Sequence, residues 1–340
     1  GITIKASTVR IAYQALDGVE YILNLIDTPG HVDFTYEVSK SLSACEGAIL
    51  VIDAGQGIEA QTVANYYLAL ENNLEVIPVI NKIDLPSIDI PAIKQQIMEV
   101  LGFKEEDIIL ASAKEGTGVK DILEHIVKMI PAPPGEAEKP LKALVFDCRF
   151  DVYKGVVVYV RIMDGTLDKR AQLRLMHSGA VYKVEELGIF KNLKYTEVDS
   201  LGCGEVGYLT ANIRDPREII IGDTLTDIKN PCDKPLPGFR TLKPLVFCGI
   251  YPVNSSDFNN LRDAMDKMKL QDASFVYEPE HSQSFGTGFR CGFLGLLHME
   301  IVQERLEREY DLNLILTVPN VVYRITLTSG ESIDCDNPAK

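Results

Sequence analysis

The segment Asp27-Thr28-Pro29-Gly30-His31 directly follows the apolar run Tyr21-Ile22-Leu23-Asn24-Leu25-Ile26. Four of the six residues in that run are aliphatic, which predicts a strand buried in a sheet. Ligands of α/β sheets bind just beyond the carboxyl ends of the strands. There an aspartate can face a metal ion, a glycine lets a backbone N–H approach an anion, and a histidine can orient a water molecule. The pattern D-x-x-G alone is weak evidence, because both residues are also common in ordinary turns.

Two further polar motifs follow apolar strands in the same way. Asn81-Lys82-Ile83-Asp84 comes after the apolar run 76–80, and Ser112-Ala113-Lys114 comes after the run 108–111. The spacing fits a nucleotide that lies across a row of parallel strands. D-x-x-G, N-K-x-D and S-A-K in this order form the guanine-nucleotide signature of GTPases. The alternative is that three polar loops share this order without a ligand.

The chemistry of these motifs predicts how the base is read. Asp84 can accept hydrogen bonds from the N1–H and the exocyclic amine of guanine, which adenine lacks. Asn81 can serve the acceptor edge of the ring, the aliphatic stem of Lys82 can cover the ring face, and the N–H of Ala113 can meet O6. The other two residues of the last motif, Ser112 and Lys114, are expected to support these contacts.

Two stretches carry a family resemblance. Gly1-Ile2-Thr3-Ile4 together with the D-T-P-G-H form of the first motif resembles the translational GTPases, the class that contains elongation factor G and EF-Tu. Within that class, the stretch Gly288-Phe289-Arg290-Cys291-Gly292-Phe293-Leu294-Gly295 is similar to the LepA, or elongation factor 4, group. The resemblance covers the whole of the chain.

The resemblance implies a role for each residue near the phosphates. Thr3 would bind Mg²⁺ through its hydroxyl in the GTP state, and Asp27 would hold the same ion through water. The N–H of Gly30 would contact the γ-phosphate, and His31 would be the catalytic residue that orients the attacking water. Ile2 would form one side of an apolar gate that restrains His31. A simpler reading makes His31 an ordinary histidine of a surface loop.

The sequence contains no phosphate-binding loop of the form G-x-x-x-x-G-K-[ST]. In the family that loop precedes the G-I-T-I segment. We therefore expect a fragment that lacks this loop and the C-terminal domains. The parent protein would hydrolyse GTP, whereas the fragment would bind GTP weakly and be inactive.

The pattern of strands and helices predicts three domains and a tail. Residues 1–135 alternate β and α segments, as in a P-loop-type GTPase α/β domain with a mostly parallel sheet and helices on both faces. Residues 136–238 follow a Pro-rich linker and show many short strands, as in the β-barrel of EF-Tu domain 2. Residues 239–318 show the β-α-β-β-α-β order of a ferredoxin-like α+β domain. Residues 319–340 would hold one exit strand (321–326) and the start of a C-terminal part.

Local signals place the individual elements. A hairpin is expected up to residue 26, with its turn at Asp17-Gly18. His298 is expected to be a packing or capping residue, and the glycine-containing loop 53–57 a structural support rather than a ligand contact. Ser256 or Asp257 should cap the helix that follows. The predicted helices are 34–45, 59–72, 91–101, 118–130, 257–270 and 295–310.

Composition limits the class of protein. The chain has 340 residues, 46% hydrophobic and 24% charged, and no run of the roughly 18 to 20 apolar residues that a membrane span needs. No signal peptide opens it. The seven cysteines are scattered without a C-x-x-C pair, which argues against a zinc site and a disulfide framework and favours a reducing compartment.

The net charge of −15 opposes nonspecific binding to nucleic acid. Most of this charge lies in residues 1–135, whereas residues 136–240 are neutral. Any affinity for ribosomal RNA should therefore rest on local patches or on C-terminal domains. We expect no DNA partner.

The resemblance implies the remaining partners and the biological role. GTP, GDP and the ribosome would be the ligands, including ribosomal RNA of both subunits and tRNA-bearing complexes, with Mg²⁺ as the cofactor of GTP. The protein would remodel elongating ribosomes by reverse translocation, supporting translational fidelity, or would alternatively act in ribosome assembly. It would be a cytoplasmic monomer with peripheral contact to the bacterial inner membrane, or alternatively a mitochondrial matrix homologue. The rival functions are another translational GTPase, such as BipA or a ribosome-protection factor, and a nucleotide-independent ribosome-binding module.

Overall fold

A computed structural model describes residues 3–151, 153–191, 194–213, 218–238, 243–272, 274–318 and 323–335. The chain divides into two compact units. The first comprises Gly1–Phe146, Val158–Ala211 and Gly222–Leu236, and the second comprises Asp147–Val157, Asn212–Ile221 and Pro237–Lys340. Ile2 lies outside the described residues, so its predicted gate role stays a prediction.

The helices lie close to their predicted positions. They are α1 (Thr35–Leu42), α2 (Ala60–Glu71), α3 (Ile90–Leu101), α4 (Val119–Met129), α5 (Phe258–Gln271) and α6 (Leu296–Tyr310). The strands of the first 135 residues are β1 (Ser7–Gln14), β2 (Glu20–Asp27), β3 (Gly47–Asp53), β4 (Glu75–Asn81) and β5 (Ile109–Leu110). The alternation of β and α segments predicted for residues 1–135 is thus confirmed.

Strands β3, β4 and β5 form a parallel sheet in this order. The register places Asp53, the last residue of β3, beside Asn81, the last residue of β4. Because the strands are parallel, their carboxyl ends lie at one edge, and the polar residues that follow them share that edge. This edge carries the candidate site.

Helices cover both faces of this sheet. Ile52 and Ile80 pack against Ile97 of α3, whereas Ile77 and Val79 pack on the other side with α4. Successive residues of β4 point to opposite faces of the sheet. Both sets can therefore be fully apolar, which explains the uninterrupted hydrophobic run of β4.

The β1–β2 hairpin differs from the prediction of one mostly parallel sheet. β1 pairs with β2 in antiparallel register and, at Arg10↔Lys191, in parallel with strand β11 (Glu186–Lys191). The hairpin therefore belongs to a sheet other than that of β3–β5. An apolar pattern predicts that a segment is a strand, but the packing of the whole chain decides its partner.

The middle of the chain is rich in short strands, as predicted. They are β6 (Lys142–Asp151), β7 (Gly155–Asp164), β8 (Leu167–Asp168), β9 (Gln172–Leu175), β10 (Val181–Lys183), β11, β12 (Lys194–Glu197), β13 (Ser200–Leu201), β14 (Val206–Thr210) and β15 (Thr224–Asp227). Most of them join one sheet in the order β10-β9-β15-β6-β7-β14-β11-β1-β2. The described part of residues 136–238 holds no α-helix.

The last part shows the split βαβ topology. Strands β16 (Val246–Pro252), β17 (Val276–Ser282), β18 (Gly286–Phe293) and β19 (Leu314–Leu316) are ordered β17-β18-β16-β19, and all pairs are antiparallel. Alternate residues of β16 and β18 pack with α5 and α6 in one core that includes Ile250, Met265, Phe289 and Leu306.

Two local predictions in this part need correction, and a third is confirmed. Asp257 precedes α5, but its side chain makes no capping hydrogen bond. The tail holds a hairpin of two strands, β20 (Tyr323–Thr326) and β21 (Ser332–Cys335), rather than one strand. His298 is buried, accepts from the N–H of Leu294 at Nδ1 and lies 2.7 Å from Asp272 Oδ2, which confirms its structural role.

None of the described helices combines the length and apolarity needed to cross a bilayer.

Candidate nucleotide-binding site

Residues of all three motifs line one cavity of about 1140 Å³, but His31, Lys82 and Asp84 are not among its lining residues. Its lining includes Asp27 to Gly30 after β2, Asn81 at the end of β4, and Ala113 after β5. The remaining wall is mostly apolar and includes residues of β2, β3, α4, α1 and α2 and of the segment 131–133. The fold therefore brings together segments that are more than eighty residues apart in sequence.

Two hydrogen bonds tie the second motif to the third. Oδ1 of Asn81 accepts from the backbone N–H of Ala113 at 3.0 Å, and Oδ1 of Asp84 accepts from the hydroxyl of Ser112 at 2.6 Å. The ammonium of Lys114 lies 3.6 Å from Oδ2 of Asp84. These contacts orient both side chains without any help from a ligand.

The electrostatics keep Asp84 ionised. The hydrogen bond from Ser112 holds the pKa of the Asp84 carboxyl below its usual value of 3.8, and the charge of Lys114 acts in the same direction. An ionised carboxylate only accepts hydrogen bonds. It is therefore suited to a ligand edge that presents two N–H donors, as guanine does.

One predicted contact is arranged differently. The N–H of Ala113 was expected to meet O6 of the base, but it donates to Asn81 in the structure. This bond directs the amide oxygen of Asn81 toward the third motif, and the amide Nδ2 becomes the group that can serve the acceptor edge of a purine.

Lys82 adopts a backbone conformation that is uncommon for its residue type. Its φ angle is +67°, in the left-handed region that few non-glycine residues enter. Its ammonium lies 2.6 Å from Oδ2 of Asp53 at the end of β3. The loop after β3, which we predicted to be a structural support, thus contacts Lys82 of the site through Asp53. The sequence motifs did not reveal this contact.

The predicted metal ligands lie close together at the end of β2. The hydroxyl of Thr3 donates to Oδ2 of Asp27 at 3.4 Å. Within the described residues no cluster of three or more His, Cys, Asp or Glu side chains could hold a metal ion. Mg²⁺ binds few protein oxygens and keeps water and phosphate ligands for the rest, so one hydroxyl and one carboxylate fit this ion.

His31 begins a short 3-10 turn at Val32–Phe34 before α1. Its Nδ1 accepts from the N–H of Asp33 at 3.1 Å, and its ring meets that of Phe34 edge-on. In the neutral form the proton must then be on Nε2. The ring is partly exposed, and its Nε2–H is the polar group that can reach a ligand.

Two residues outside the motifs shape the site. The side-chain amide of Asn65 on α2 donates to the carbonyl of Gly30 at 3.0 Å. Gly118 starts α4 with a φ of +74°, and a Cβ atom there would lie 2.1 Å from the carbonyl oxygen of Leu110. Glycine at 118 could be suspected from its position before a helix, but no local signal marks Asn65.

Helix α1, which follows His31, carries a buried ion pair. Lys40 and Glu37 on α1 are 1% and 8% exposed, and their charged groups lie 2.7 Å apart. The second carboxylate oxygen of Glu37 accepts from the N–H of Ala6 at 3.0 Å. The helix that follows His31 is thus attached to the segment that follows Thr3.

Family models match two parts of the chain. Residues 1–132 match the elongation factor Tu GTP binding domain, and residues 155–226 match elongation factor Tu domain 2. The first match contains all three motifs, and the second lies in the strand-rich middle of the chain.

Curated relatives are similar over almost the whole chain. The protein named elongation factor 4 from Desulfitobacterium hafniense is 58% identical over 339 residues, which are 100% of this chain and 56% of that protein. The elongation factor 4 of Geobacillus thermodenitrificans is 56% identical over 99% of this chain and 55% of its own length. The chain therefore spans about half the length of the curated relatives it matches.

A solved structure shares the fold. A crystal structure of a protein from Thermus thermophilus superposes with a TM-score of 0.77 at 18% identity, covering 98% of this chain and 64% of that one. This likeness concerns the fold alone. The identities to elongation factor 4 proteins and the two family models lead to one classification: the chain belongs to the translational GTPases, in the elongation factor 4 group.

Proposed function

We propose that this chain provides the guanine-binding and GTP-hydrolysing part of a ribosome-dependent translation factor of the elongation factor 4 type. The observation that carries the proposal is the pair of bonds Asn81–Ala113 and Asp84–Ser112. They hold an amide and an ionised carboxylate at one sheet edge, beside the loop that contains His31.

Each group has a task that its geometry suits. Asp84 accepts from N1–H and the amino group of guanine, and Asn81 donates to the acceptor edge of the ring. Mg²⁺, held by Thr3 and Asp27, would neutralise charge on the phosphates. His31 directs its Nε2–H side toward the water that attacks the γ-phosphate, and Gly30 offers its N–H to that phosphate.

The cavity also has a place for the phosphate-binding loop. Within the described residues β2 pairs only with β1, and β3 only with β4, so each presents an edge of backbone groups to the cavity. Leu23 and Leu25 of β2 and Ile49 of β3 line it. We assign this groove to a strand that carries the phosphate-binding loop, because such a strand, parallel to β3, would end beside Asp27 and Asn81.

The proposal also includes the ribosome, as the partner that activates hydrolysis. None of the described motifs supplies an arginine to the phosphates, and GTPases of this kind are slow until a partner helps. We propose that ribosome docking positions His31 and starts hydrolysis, and that the cycle drives reverse translocation or a related remodelling step. A cytoplasmic monomer with peripheral membrane contact is part of the same proposal.

The test uses the full-length protein expressed from the gene that encodes this chain. We expect guanine nucleotides to bind at least about a hundredfold more tightly than adenine nucleotides and 70S ribosomes to stimulate GTP hydrolysis. Ribosome pelleting should be stronger with a non-hydrolysable GTP analogue than with GDP. Pelleting that ignores the nucleotide, together with no stimulated hydrolysis, would instead support the nucleotide-independent binding module.

A further inference from the structure

The loop after β3, Asp53-Ala54-Gly55-Gln56-Gly57, is not part of the guanine signature, yet it touches that signature twice. Oδ2 of Asp53 lies 2.6 Å from the ammonium of Lys82. The N–H of Ala54 donates to the carbonyl of Asn81 at 2.9 Å. The loop thus contacts two consecutive residues of the N-K-x-D motif, one through a side chain and one through the backbone.

The loop holds Asp53 firmly. Its other carboxylate oxygen accepts from the N–H of Gly55 at 2.8 Å. Its carbonyl accepts from the N–H groups of Gln56 and Gly57 at 3.1 and 2.8 Å. Gly57 turns the chain with a φ of +69°, which glycine adopts without strain. The carboxylate therefore has one orientation, and that orientation faces Lys82.

Lys82 needs such a partner. A lysine side chain has a flexible four-carbon stem and loses considerable rotamer freedom when it is ordered. The positive φ of Lys82 fixes the direction in which the stem leaves the backbone, and Asp53 fixes its charged end. With both ends held, the aliphatic stem keeps one path along the edge of the site.

We propose that Asp53 is a positioning residue of the guanine site: it holds the ammonium of Lys82, so that the stem is ordered against the base before the nucleotide binds. This inference rests on the proposed function, because it assumes that a base occupies the site. Asp53 itself touches no nucleotide in this arrangement.

The charge state supports the same role. The hydrogen bond from Lys82 keeps the pKa of the Asp53 carboxyl below its usual value of 3.8. The carboxylate is therefore ionised at neutral pH and attracts the ammonium continuously. The pair is partly exposed, so it contributes little to the stability of the fold. Its main effect is to order the side chain of Lys82.

The test compares Asp53→Asn with the unsubstituted full-length protein. Asparagine keeps an oxygen for the N–H of Gly55, so the loop retains its shape, but it loses the charge that holds Lys82. With a fluorescent GDP analogue as probe, we expect the dissociation constant to rise about 3- to 10-fold, mainly through faster dissociation. For ribosome-stimulated hydrolysis, the KM for GTP should rise while kcat stays the same.

The matched control is Glu197→Gln. It removes a lysine–carboxylate pair of the same kind, since Lys169 and Glu197 lie 2.7 Å apart in the strand-rich middle of the chain. A general loss of stability would lower the melting temperature and kcat together, whereas a positioning role changes KM alone. Equal KM changes in both variants would refute the inference.

A second measurement leaves Asp53 unchanged and observes Lys82 directly. In the ¹⁵N spectrum of the lysine ammonium groups, assigned with Lys82→Arg, the Lys82 signal should be slowly exchanging before nucleotide is added. A solvent-averaged Lys82 signal would refute the inference, as would an unchanged GDP affinity in Asp53→Asn, and in both cases the proposed function would stand. If the unsubstituted protein showed no preference for GDP over ADP, the proposed function and this inference would both fall.

Discussion

Ser112 donates a hydrogen bond of 2.6 Å from its hydroxyl to Oδ1 of Asp84, across 28 residues of sequence. Ser112 is buried, and its oxygen also accepts from the N–H of Glu115 at 3.1 Å. The loop of the third motif thus fixes the position of the Ser112 hydroxyl. That hydroxyl in turn fixes the orientation of the Asp84 carboxylate. The carboxylate that we propose selects the base is therefore oriented by a different motif from the one that carries it.

Replacing Asp84 with asparagine should change which base is bound. The amide can still accept from Ser112, so the loop should persist, but it would place a donor opposite the amino group of guanine. Leaving a buried polar group unpaired costs about 1–3 kcal/mol, so GTP affinity should fall by about 5- to 150-fold. Xanthosine triphosphate should become the preferred ligand, because its 2-position offers an oxygen.

Competition between the two triphosphates for a fluorescent nucleotide measures this switch. Glu197→Gln serves as a control for loss of one carboxylate. Unaltered preference for GTP in Asp84→Asn would remove Asp84 from base recognition.

Replacing His31 with alanine should separate binding from catalysis. Its ring contacts are local, to Asp33 and Phe34, so GTP affinity should change less than about twofold. Ribosome-stimulated turnover should fall by about a hundredfold or more, as expected for loss of the group that orients the nucleophile.

Single-turnover hydrolysis on ribosomes measures this effect. His125→Ala is the matched control, because the Nδ1 of His125 bonds the carbonyl of Asp121 in its own helix α4 at 2.7 Å and the residue belongs to none of the three motifs. Full turnover by the His31 variant would assign water orientation to another group.

Guanine selectivity should be insensitive to pH in the neutral range. The folded-state pKa of Asp84 is below its usual value of 3.8, so the contribution of this carboxylate to stability is fully present above the unfolded pKa. It is lost only as the pH falls through the lower folded-state value. The ratio of GDP to ADP dissociation constants should therefore be constant from about pH 5 to 8. A rise of that ratio between pH 7 and 6, which would mean a loss of guanine selectivity, would point to a histidine instead.

The buried pair Glu37–Lys40 should be intolerant of losing one member. Glu37→Gln leaves the ammonium of Lys40 buried beside a neutral amide, and breaking a buried pair costs about 3–5 kcal/mol. Adding Lys40→Met should restore much of that loss, since an apolar pair of similar volume tolerates burial.

Denaturant unfolding, followed by hydrogen exchange of the amides in α1, measures both steps. Glu304→Gln on the surface of α6, which removes the exposed pair with Arg308, should cost less than about 1 kcal/mol. A double variant no more stable than Glu37→Gln alone would show that α1 needs the charge itself.

The sequence by itself determined the elements and the chemistry. Periodicity and turn signals located the β-α alternation of residues 1–135 and the helices α1 to α6 to within a few residues, because local spacing reflects burial directly. The three motifs named the candidate residues of the site, because the carboxylate of Asp84 and the amide of Asn81 offer acceptors and donors that match a guanine edge. The family resemblance rested on Gly1-Ile2-Thr3-Ile4, on the D-T-P-G-H form of the first motif and on the stretch 288–295.

Only the tertiary structure decided which residues and strands contact each other. No local pattern states that β1 pairs with β11, that Asn65 reaches the carbonyl of Gly30, or that Asp53 holds Lys82. These contacts join segments far apart in sequence, and they form because packing brings strand ends and helix faces to the same place. Periodicity reports the environment of each residue, but its partner is a property of the folded chain as a whole.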